Sequence, residues 1–378
     1  MFGTVLLVAV TVMEFYVFWR ISSVPRVRRF LPPGPLAAIG AGLWILFYLA
    51  RFVSHGSRSA AATGVEVAGM IWLGVLFITF VCVLAADLLT GFGFFFPRTA
   101  PRWRGAALLA GGALSVLALV QGLRPPEIVT YHIRLPGLSP ELEGIKLAAI
   151  ADTHLGTILG ADWMKALVNR VERERPDAIL LLGDILEGYG NDPEELIPVL
   201  RGLAAPLGVW SVPGNHESYG RETVTREILD GAGFNQLFNT HTEPLPGLVL
   251  AGIDYRRERE GEENDERLVQ ALGGKPEGVA ILLSHSPAPA EAAAGAGVDL
   301  MLSGHTHGGQ IWPWSLLVKT RHPWLAGHYR VGSMQIIVSR GAGTWGPRMR
   351  LWQPGEVSIV VLHRADAGLE TSTPDYSD

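Results

Sequence analysis

Five polar clusters, each directly after a short apolar run, contain the side chains that could do chemistry. The clusters are Asp152-Thr153-His154, Gly183-Asp184, Gly214-Asn215-His216-Glu217, Ser284-His285 and Gly304-His305-Thr306-His307. Carboxylate, imidazole and amide oxygen ligands without thiolates suit divalent ions such as Mn, Fe or Zn. Any one of these residues alone would more often be an ordinary turn residue, but seven candidate ligands in five ordered clusters predict a metal site.

The apolar runs before these clusters are predicted strands of an α/β domain, because they alternate with amphipathic stretches. Strands are predicted at Lys146–Ile150, Ala178–Leu182, Val209–Val212, Leu248–Ile253, Val279–Leu283, Leu300–Ser303, Gln335–Ser339 and Val357–Leu362. Ligands of open α/β sheets lie at the carboxyl ends of the strands, so the five clusters should converge. Glycines before Asp184, Asn215 and His305 are predicted to permit the tight turns that direct the next side chain inward.

The ordered motifs D-x-H, G-D, G-N-H-E, H and G-H-x-H resemble those of the calcineurin-like binuclear metallophosphoesterase superfamily. The resemblance covers roughly residues 145–350. Gly304–Gln310, followed by Ser339–Thr344, is similar to the membrane-anchored bacterial YaeI/YkuE-like branch. The resemblance implies a two-sheet sandwich flanked by helices, with two metals between the strand ends.

The resemblance also implies a role for each motif residue. The first metal would be bound by Asp152, His154, Asp184 and His307; Asp184 would bridge to a second metal, completed by Asn215, His285 and His305. A bridging hydroxide would then attack a phosphodiester, pyrophosphate or phosphomonoester. His216 would stabilise charge or protonate the leaving oxygen. Glu187 stands where the phosphoprotein phosphatases of this superfamily have Asp, so a pairing of His216 with an acid stays open.

Two features near the motifs have open interpretations. Arg340 either contacts substrate phosphate at the rim of the crevice or is a plain strand-end arginine. The segment Ile311–Val318, rich in Trp and Leu, either dips into the membrane interface toward a lipid-linked substrate or packs against the sheet edge or the anchor. His322 lies outside the ligand motifs and is expected to be a surface histidine or one behind the ligands.

The first 124 residues are predicted to be a membrane anchor. They contain 10 Arg, no Lys and three acidic residues, a formal charge of +7, whereas the other 254 residues have −12. Their apolar stretches predict about four transmembrane helices, at Phe2–Trp19, Leu36–Ala50, Val67–Ala86 and Gly105–Leu123. Residues 125–364 would form the phosphoesterase domain, and residues 365–378 a loose polar tail.

The distribution of arginines predicts the orientation of the anchor. The two loops on one face carry seven Arg and the opposite face three. Because cytoplasmic loops are enriched in Arg and Lys, the seven-Arg face should be cytoplasmic and the phosphoesterase domain extracytoplasmic.

Composition excludes several other classes of protein. The acidic C-terminal region argues against a general nucleic-acid binder, and the single cysteine excludes an intrachain disulfide or a Cys-based zinc module. We therefore expect a membrane-anchored, Mn-, Fe- or Zn-dependent phosphodiesterase or related phosphoesterase that acts on a lipid or envelope substrate, without an obligate protein partner. The alternatives are a phosphoprotein phosphatase and a catalytically silent membrane receptor or scaffold that binds metal or phosphate.

Overall fold

The structure is a computed structural model that describes residues 2–54, 59–187, 192–219, 222–255 and 262–365. Except for Ala365, the predicted polar tail lies outside the described residues. The N-terminal helices are α1 (Phe2–Ser22), α2 (Pro25–Phe30), α3 (Pro33–Leu49), α4 (Ala60–Leu89) and α5 (Ala100–Leu123). Four of them, α1, α3, α4 and α5, are long and apolar enough to cross a membrane, with α3 extended by one wider turn. These helices run past the predicted apolar stretches because helical hydrogen bonding continues into their polar flanks.

A buried ion cluster holds three of these helices together. The Asp87 carboxylate on α4 has no exposed surface and lies 2.6 Å from Arg20 Nε on α1 and 2.7 Å from Arg104 Nε on α5. The Tyr16 hydroxyl donates a further hydrogen bond to Asp87. Arg104 also donates to Ser23 Oγ, over 3.1 Å. The two arginines belong to the face that carries seven Arg. Charge pairing therefore holds α1, α4 and α5 together at this face.

The C-terminal domain contains two six-stranded sheets packed face to face. The strands are β1 (Glu127–Leu135), β2 (Lys146–Ile150), β3 (Ala178–Leu181), β4 (Val209–Ser211), β5 (Asn235–Gln236), β6 (Thr240–Leu245), β7 (Leu248–Gly252), β8 (Val279–Leu283), β9 (Leu300–Ser303), β10 (Gly327–Val331), β11 (Met334–Val338) and β12 (Glu356–Arg364). Their orders are β1-β12-β2-β3-β4-β5 and β10-β11-β9-β8-β7-β6. Aliphatic side chains of β2, β3, β7, β8 and β9 fill the space between the sheets.

Helices cover the outer faces of both sheets. The helices of the C-terminal domain are α6 (Ala161–Glu174), α7 (Pro193–Leu200), α8 (Asn215–Tyr219), α9 (Glu222–Ala232), α10 (Glu262–Leu272), α11 (Ala290–Gly295) and α12 (Trp314–Arg321). The first sheet packs against α6, α7 and α9, and the second against α10 and α11. The predicted two-sheet sandwich flanked by helices is therefore confirmed.

Four strands, β1, β5, β6 and β10, were not predicted from the sequence. They lie at or near the sheet edges, where one face is half-exposed and the apolar signal is weak. β1 pairs in parallel with β12, more than 200 residues away along the chain, and places the start of the domain beside its end. Such a pairing leaves no local signal.

A loop of the C-terminal domain inserts between α4 and α5. Met349 is fully buried there, and the Arg350 main-chain N–H donates to the Ala118 carbonyl of α5 over 2.9 Å. Gly122 permits this approach, since a Cβ at that position would lie 2.6 Å from the Arg348 carbonyl oxygen and from Met349 Cα. The domain is thus packed onto the anchor and not only joined to it by the chain.

Replacing Asp87 with Asn should destabilise the anchor, because two buried guanidinium groups would lose their counter-charge. We expect a loss of about 3 to 5 kcal/mol in the free energy of unfolding, measured as a lower midpoint of thermal unfolding in detergent micelles. Arg98→Gln, on the exposed loop between α4 and α5, is the control and should leave the midpoint unchanged. Equal midpoints for both variants would show that the cluster contributes nothing to stability.

Candidate metal centre

The five polar clusters meet at one edge of the sandwich, as predicted. Asp152 and His154 follow β2, Asp184 follows β3, and Asn215 and His216 begin α8 after β4. From the second sheet, His285 follows β8, while His305 and His307 follow β9. Because both sheets present carboxyl strand ends at this edge, side chains distant in sequence share one largely buried crevice.

The backbone of the site is strained where it turns into the crevice. Asp152, His154, Asp184, His305 and His307 all have φ between 48° and 73°, a region that side chains with a Cβ rarely adopt. Such strain persists only where the surrounding structure holds it, and it is common at functional sites. Five of the seven predicted ligands therefore owe their direction to an unusual backbone conformation.

The preceding glycines have two different functions. Gly183 has φ of 85°, which agrees with the predicted tight turn. Gly214 and Gly304 have no such φ, and they are required by close packing instead. A Cβ on Gly214 would lie 2.2 Å from Asp184 Oδ1, and one on Gly304 would lie 2.4 Å from Asp152 Oδ2. The missing side chains make room for the carboxylates.

Among the described residues, the predicted Asp and His ligands form two groups whose ligand atoms lie within 4.8 Å of one another, Asp152–His154–His307 and Asp184–His285–His305, and a third such group joins His154 to Glu187 and His216. In the first, His154 Nε2 lies 3.0 Å from His307 Nε2, which is 3.5 Å from Asp152 Oδ1. The distances of the second group all involve His285 Nε2, which lies 3.2 Å from Asp184 Oδ2, from Asn215 Oδ1 and from His305 Nδ1. Asp184 Oδ2 is also 3.9 Å from His154 Nε2, so its carboxylate stands between the groups.

This arrangement fits divalent cations. Imidazole nitrogens face one another and a carboxylate at short distance, so their lone pairs point into common space. Buried carboxylates need compensating positive charge, and the set of oxygen and nitrogen donors without sulfur suits Mn, Fe or Zn. We therefore regard the Asp and His residues as a candidate metal-binding site.

Glu187 orients two of the histidines from behind. Its Oε2 lies 2.7 Å from His154 Nδ1 and its Oε1 lies 3.2 Å from His216 Nδ1. The acid pairing of His216, left open by the sequence, is thus present in the structure. A carboxylate on the second ring nitrogen fixes the orientation of a metal-binding histidine. Glu187 therefore supports both a candidate ligand and the neighbouring His216.

The electrostatics show how closely these groups are coupled. Burial raises the pKa of Glu187, but His154 and His216 outweigh this effect and lower the pKa to about 2. Burial lowers the pKa of His216, whereas the hydrogen bond and charge of Glu187 raise it to about 9. Burial also lowers the pKa of His305, to about 3, with help from the charge of His285. Each group thus changes the protonation of its neighbours, as expected in one shared site.

Glu217 stabilises the turns that carry the candidate ligands. Its Oε2 accepts the backbone N–H groups of Gly214 at 2.7 Å and Asp184 at 2.9 Å, and its Oε1 accepts those of Ile185 and Leu186. One buried carboxylate therefore joins the turn after β3 to the turn after β4. Glu217 belongs to the G-N-H-E motif, but the motif alone predicts no role for it.

Arg350 is a second functional residue that the sequence did not predict. Its buried guanidinium donates to the carbonyl oxygens of Arg340, Gly341 and Gly343, in the loop that follows β11. The residue has no motif signal because its partners are main-chain atoms. Since its own N–H reaches α5, Arg350 connects the anchor to a loop that packs beside Asp152 and His307.

Arg340 lies beside the turn at His307 and Gly308, at the margin of the site. Its Nε is 2.8 Å from Glu356 Oε2, and its Nη2 is 3.5 Å from Glu127 Oε2. Its guanidinium charge is paired within the protein, and contact with substrate phosphate stays a prediction. The eight other predicted site residues are all brought together.

Fold and site define a metal-binding α/β sandwich domain, and sequence comparisons identify its family. Residues 145–309 match the family model of the calcineurin-like phosphoesterases. An uncharacterized metallophosphoesterase of Aquifex aeolicus is 33% identical, over 62% of this chain and 93% of that protein. YkuE of Bacillus subtilis, also an uncharacterized metallophosphoesterase, is 29% identical over 68% and 92%. The chain belongs to the calcineurin-like metallophosphoesterase family, and the resemblance to its YkuE-like branch is confirmed.

A third relative bears on the N-terminal helices. A transmembrane protein with metallophosphoesterase domain from Danio rerio is 31% identical, over 68% of this chain and 62% of that protein. The chain therefore spans less than two thirds of that relative. Together with four helices that are long and apolar enough to cross a bilayer, this similarity indicates a membrane protein.

Replacing Glu217 with Gln should loosen the turns that hold Asp184 and Asn215. The amide would turn an NH₂ group toward backbone donors, and we expect a loss on the order of 2 to 3 kcal/mol in stability. Thermal unfolding and the metal content of the purified protein, measured by mass spectrometry, should both fall. Glu172→Gln on the exposed face of α6 is the control. An unchanged midpoint with unchanged metal content would contradict this role.

Proposed function

We propose that this protein is a membrane-anchored metallophosphoesterase that hydrolyses phosphoester bonds at the candidate metal centre. The observation that carries the proposal is the convergence of seven Asp, Asn and His side chains from five strand ends into two adjacent groups of ligand atoms.

Each group would hold one divalent cation, giving two per chain. Asp152, His154 and His307 would bind one, and Asn215, His285 and His305 the other, with Asp184 shared between them. When bound, two cations of the Mn, Fe or Zn type would supply the charge that attracts an anionic phosphate and the Lewis acidity that activates water. The buried positions of Asp152 and Asp184 keep the opposing charge fixed in place.

His216 is the residue we place at the leaving group. Its Nδ1 lies next to Glu187, so Nε2 is the atom that would hold a proton toward the substrate. In hydrolysis the water oxygen bonds to phosphorus and releases a proton to the surrounding water, and the bond from phosphorus to the leaving oxygen breaks. His216 would give its proton to that leaving oxygen, while Glu187 holds the ring in position.

The membrane location favours a lipid-linked or cell-envelope substrate, which carries a phosphodiester, a pyrophosphate or a phosphomonoester. The loop bearing Arg350 joins the site to the end of α5, so the crevice lies close to the anchor. The excess of Arg on the opposite loops supports an extracytoplasmic domain.

Removal of metal should abolish turnover of methyl nitrophenyl phosphate, a soluble phosphodiester, or of nitrophenyl phosphate, the corresponding monoester. Chelation followed by addition of Mn, Fe or Zn should restore the activity, and comparison of the two esters identifies the preferred class. Asp184→Asn should reduce turnover on the order of a hundredfold or more, since a shared ligand is lost. Asp162→Asn, an exposed acid at the start of α6, is the control. Turnover that survives chelation would contradict a metal-dependent reaction.

Replacing His216 with Ala should slow the hydrolysis of esters with poor leaving groups most. For an alkyl or unsubstituted phenyl leaving group we expect a loss of about a hundredfold in kcat, because its oxygen requires a proton. Nitrophenolate leaves without being protonated, so the loss in kcat for nitrophenyl esters should be clearly smaller. The metal content of the variant should be unchanged. His241→Ala, at a histidine bonded to the Ala271 carbonyl away from the site, is the control. Equal losses for all leaving groups would show that His216 does not act as the acid.

A further inference from the structure

One segment of the phosphoesterase domain exposes an unusual amount of apolar surface. Four side chains at and just before the start of α12, which we call the α12 surface, are Trp312, Trp314, Leu316 and Leu317, with exposed fractions of 41%, 42%, 61% and 55%. Trp352, itself half-exposed, packs against Trp312 with ring centroids 5.2 Å apart. A contiguous apolar patch of this kind marks an interaction site on a domain that is otherwise acidic.

The α12 surface continues onto a membrane-spanning helix. The Trp314 ring packs edge-on against the Phe77 ring of α4, with centroids 5.8 Å apart. Just before α12, Ile311 is buried in a cluster with Ile78 and Ala118 of the anchor. Any stretch of about 20 residues that spans the hydrocarbon within Ala60–Leu89 includes Phe77. Trp314 therefore touches a residue that lies at hydrocarbon depth.

The charges of α12 match a position in the membrane interface. Lys319 and Arg321 lie in its last turn, after the apolar residues, and both residues are exposed. Tryptophan is favoured at the boundary between hydrocarbon and headgroups, and basic side chains are favoured beside lipid phosphates. The order along α12, apolar and then basic, thus corresponds to passage from the acyl chains to the headgroups.

The basic end of α12 reaches the candidate metal centre. His322 directly follows the helix, and its ring lies nearly perpendicular to that of His305 at 5.3 Å between centroids. The turn before His307 is also attached to this segment, because Thr306 Oγ1 donates to the Leu325 carbonyl. One short helix therefore has its apolar start beside a membrane span and its basic end beside a candidate ligand.

We propose that the α12 surface is embedded in the lipid leaflet on the side of the phosphoesterase domain, and that a lipid phosphoester reaches the metal centre along α12. The second part rests on the proposed function. The occupant is a bilayer lipid and not a protein partner, because the surface is continuous with Phe77, whose surroundings in the membrane are acyl chains. The acyl chain would stay beside Trp314 and Leu317 while the phosphate passes Lys319 toward His305.

The depth of α12 can be measured in the full chain, because Cys82 is the only cysteine. A Cys82→Ala background would receive Leu317→Cys or, as the matched control, Val269→Cys, a 72% exposed apolar position on α10. Both would carry an environment-sensitive fluorophore in vesicles of phosphatidylethanolamine and phosphatidylglycerol. A nitroxide lipid labelled near its headgroup should quench the fluorophore at 317 several-fold more strongly than at 269. Equal quenching would overturn the proposal.

The substrate path is tested with two esters that share one reacting group. Hexadecyl nitrophenyl phosphate, incorporated in vesicles, and methyl nitrophenyl phosphate, in solution, both release nitrophenolate. The double variant Leu316→Gln/Leu317→Gln should lower turnover of the hexadecyl ester several-fold and leave that of the methyl ester unchanged. Proportional loss of both, or loss of neither, would overturn lipid entry along α12. If the unaltered protein hydrolyses neither ester with any metal, the proposed function fails, whereas the quenching result still decides the position of α12.

Discussion

Asp152 and Asp184 are buried together with four histidines and one asparagine, beside the half-buried His305, and this concentration of polar groups constrains the rest of the domain. Burying such groups is costly unless positive charge compensates the carboxylates. The protein maintains the arrangement with a strained backbone at five ligand positions, with glycines that leave room for the carboxylates, and with Glu217 and Glu187 behind the turns. Bound cations would offset the free-energy cost of burying these groups, so the stability of the fold and the affinity for metal should be linked.

The anchor and the site form one structure. The main-chain N–H of Arg350 donates a hydrogen bond to α5, and its guanidinium donates to the loop beside Asp152. Movement of the anchor would therefore displace the loop at the crevice. At the other end of the membrane helices, Asp87 pairs with Arg20 and Arg104 and holds three helices at the seven-Arg face. Both ends of the helix bundle are therefore fixed by polar contacts, and its middle by apolar packing.

The sequence predicted most of what depends on local pattern. Apolar runs predicted the central strands, and the five ordered motifs predicted His216 and all seven candidate metal ligands that meet in the crevice. Glu217 and Arg350 escaped prediction because they act through main-chain atoms, which carry no residue-specific signal. β1 and β10 are half-exposed strands at sheet edges with a weak apolar pattern, and the partner of β1, β12, lies more than 200 residues away along the chain. The sequence did not predict the contact between Trp314 and Phe77 either, because this contact joins two domains.

Anomalous X-ray diffraction from crystals grown with manganese tests the central claim most directly. The account predicts two anomalous peaks per chain, one among Asp152, His154 and His307 and one among Asn215, His285 and His305, with the Asp184 carboxylate in contact with both. A single peak would contradict the two-cation centre. The absence of any peak in this crevice, in crystals that hold an excess of manganese over protein, would contradict the metal site altogether.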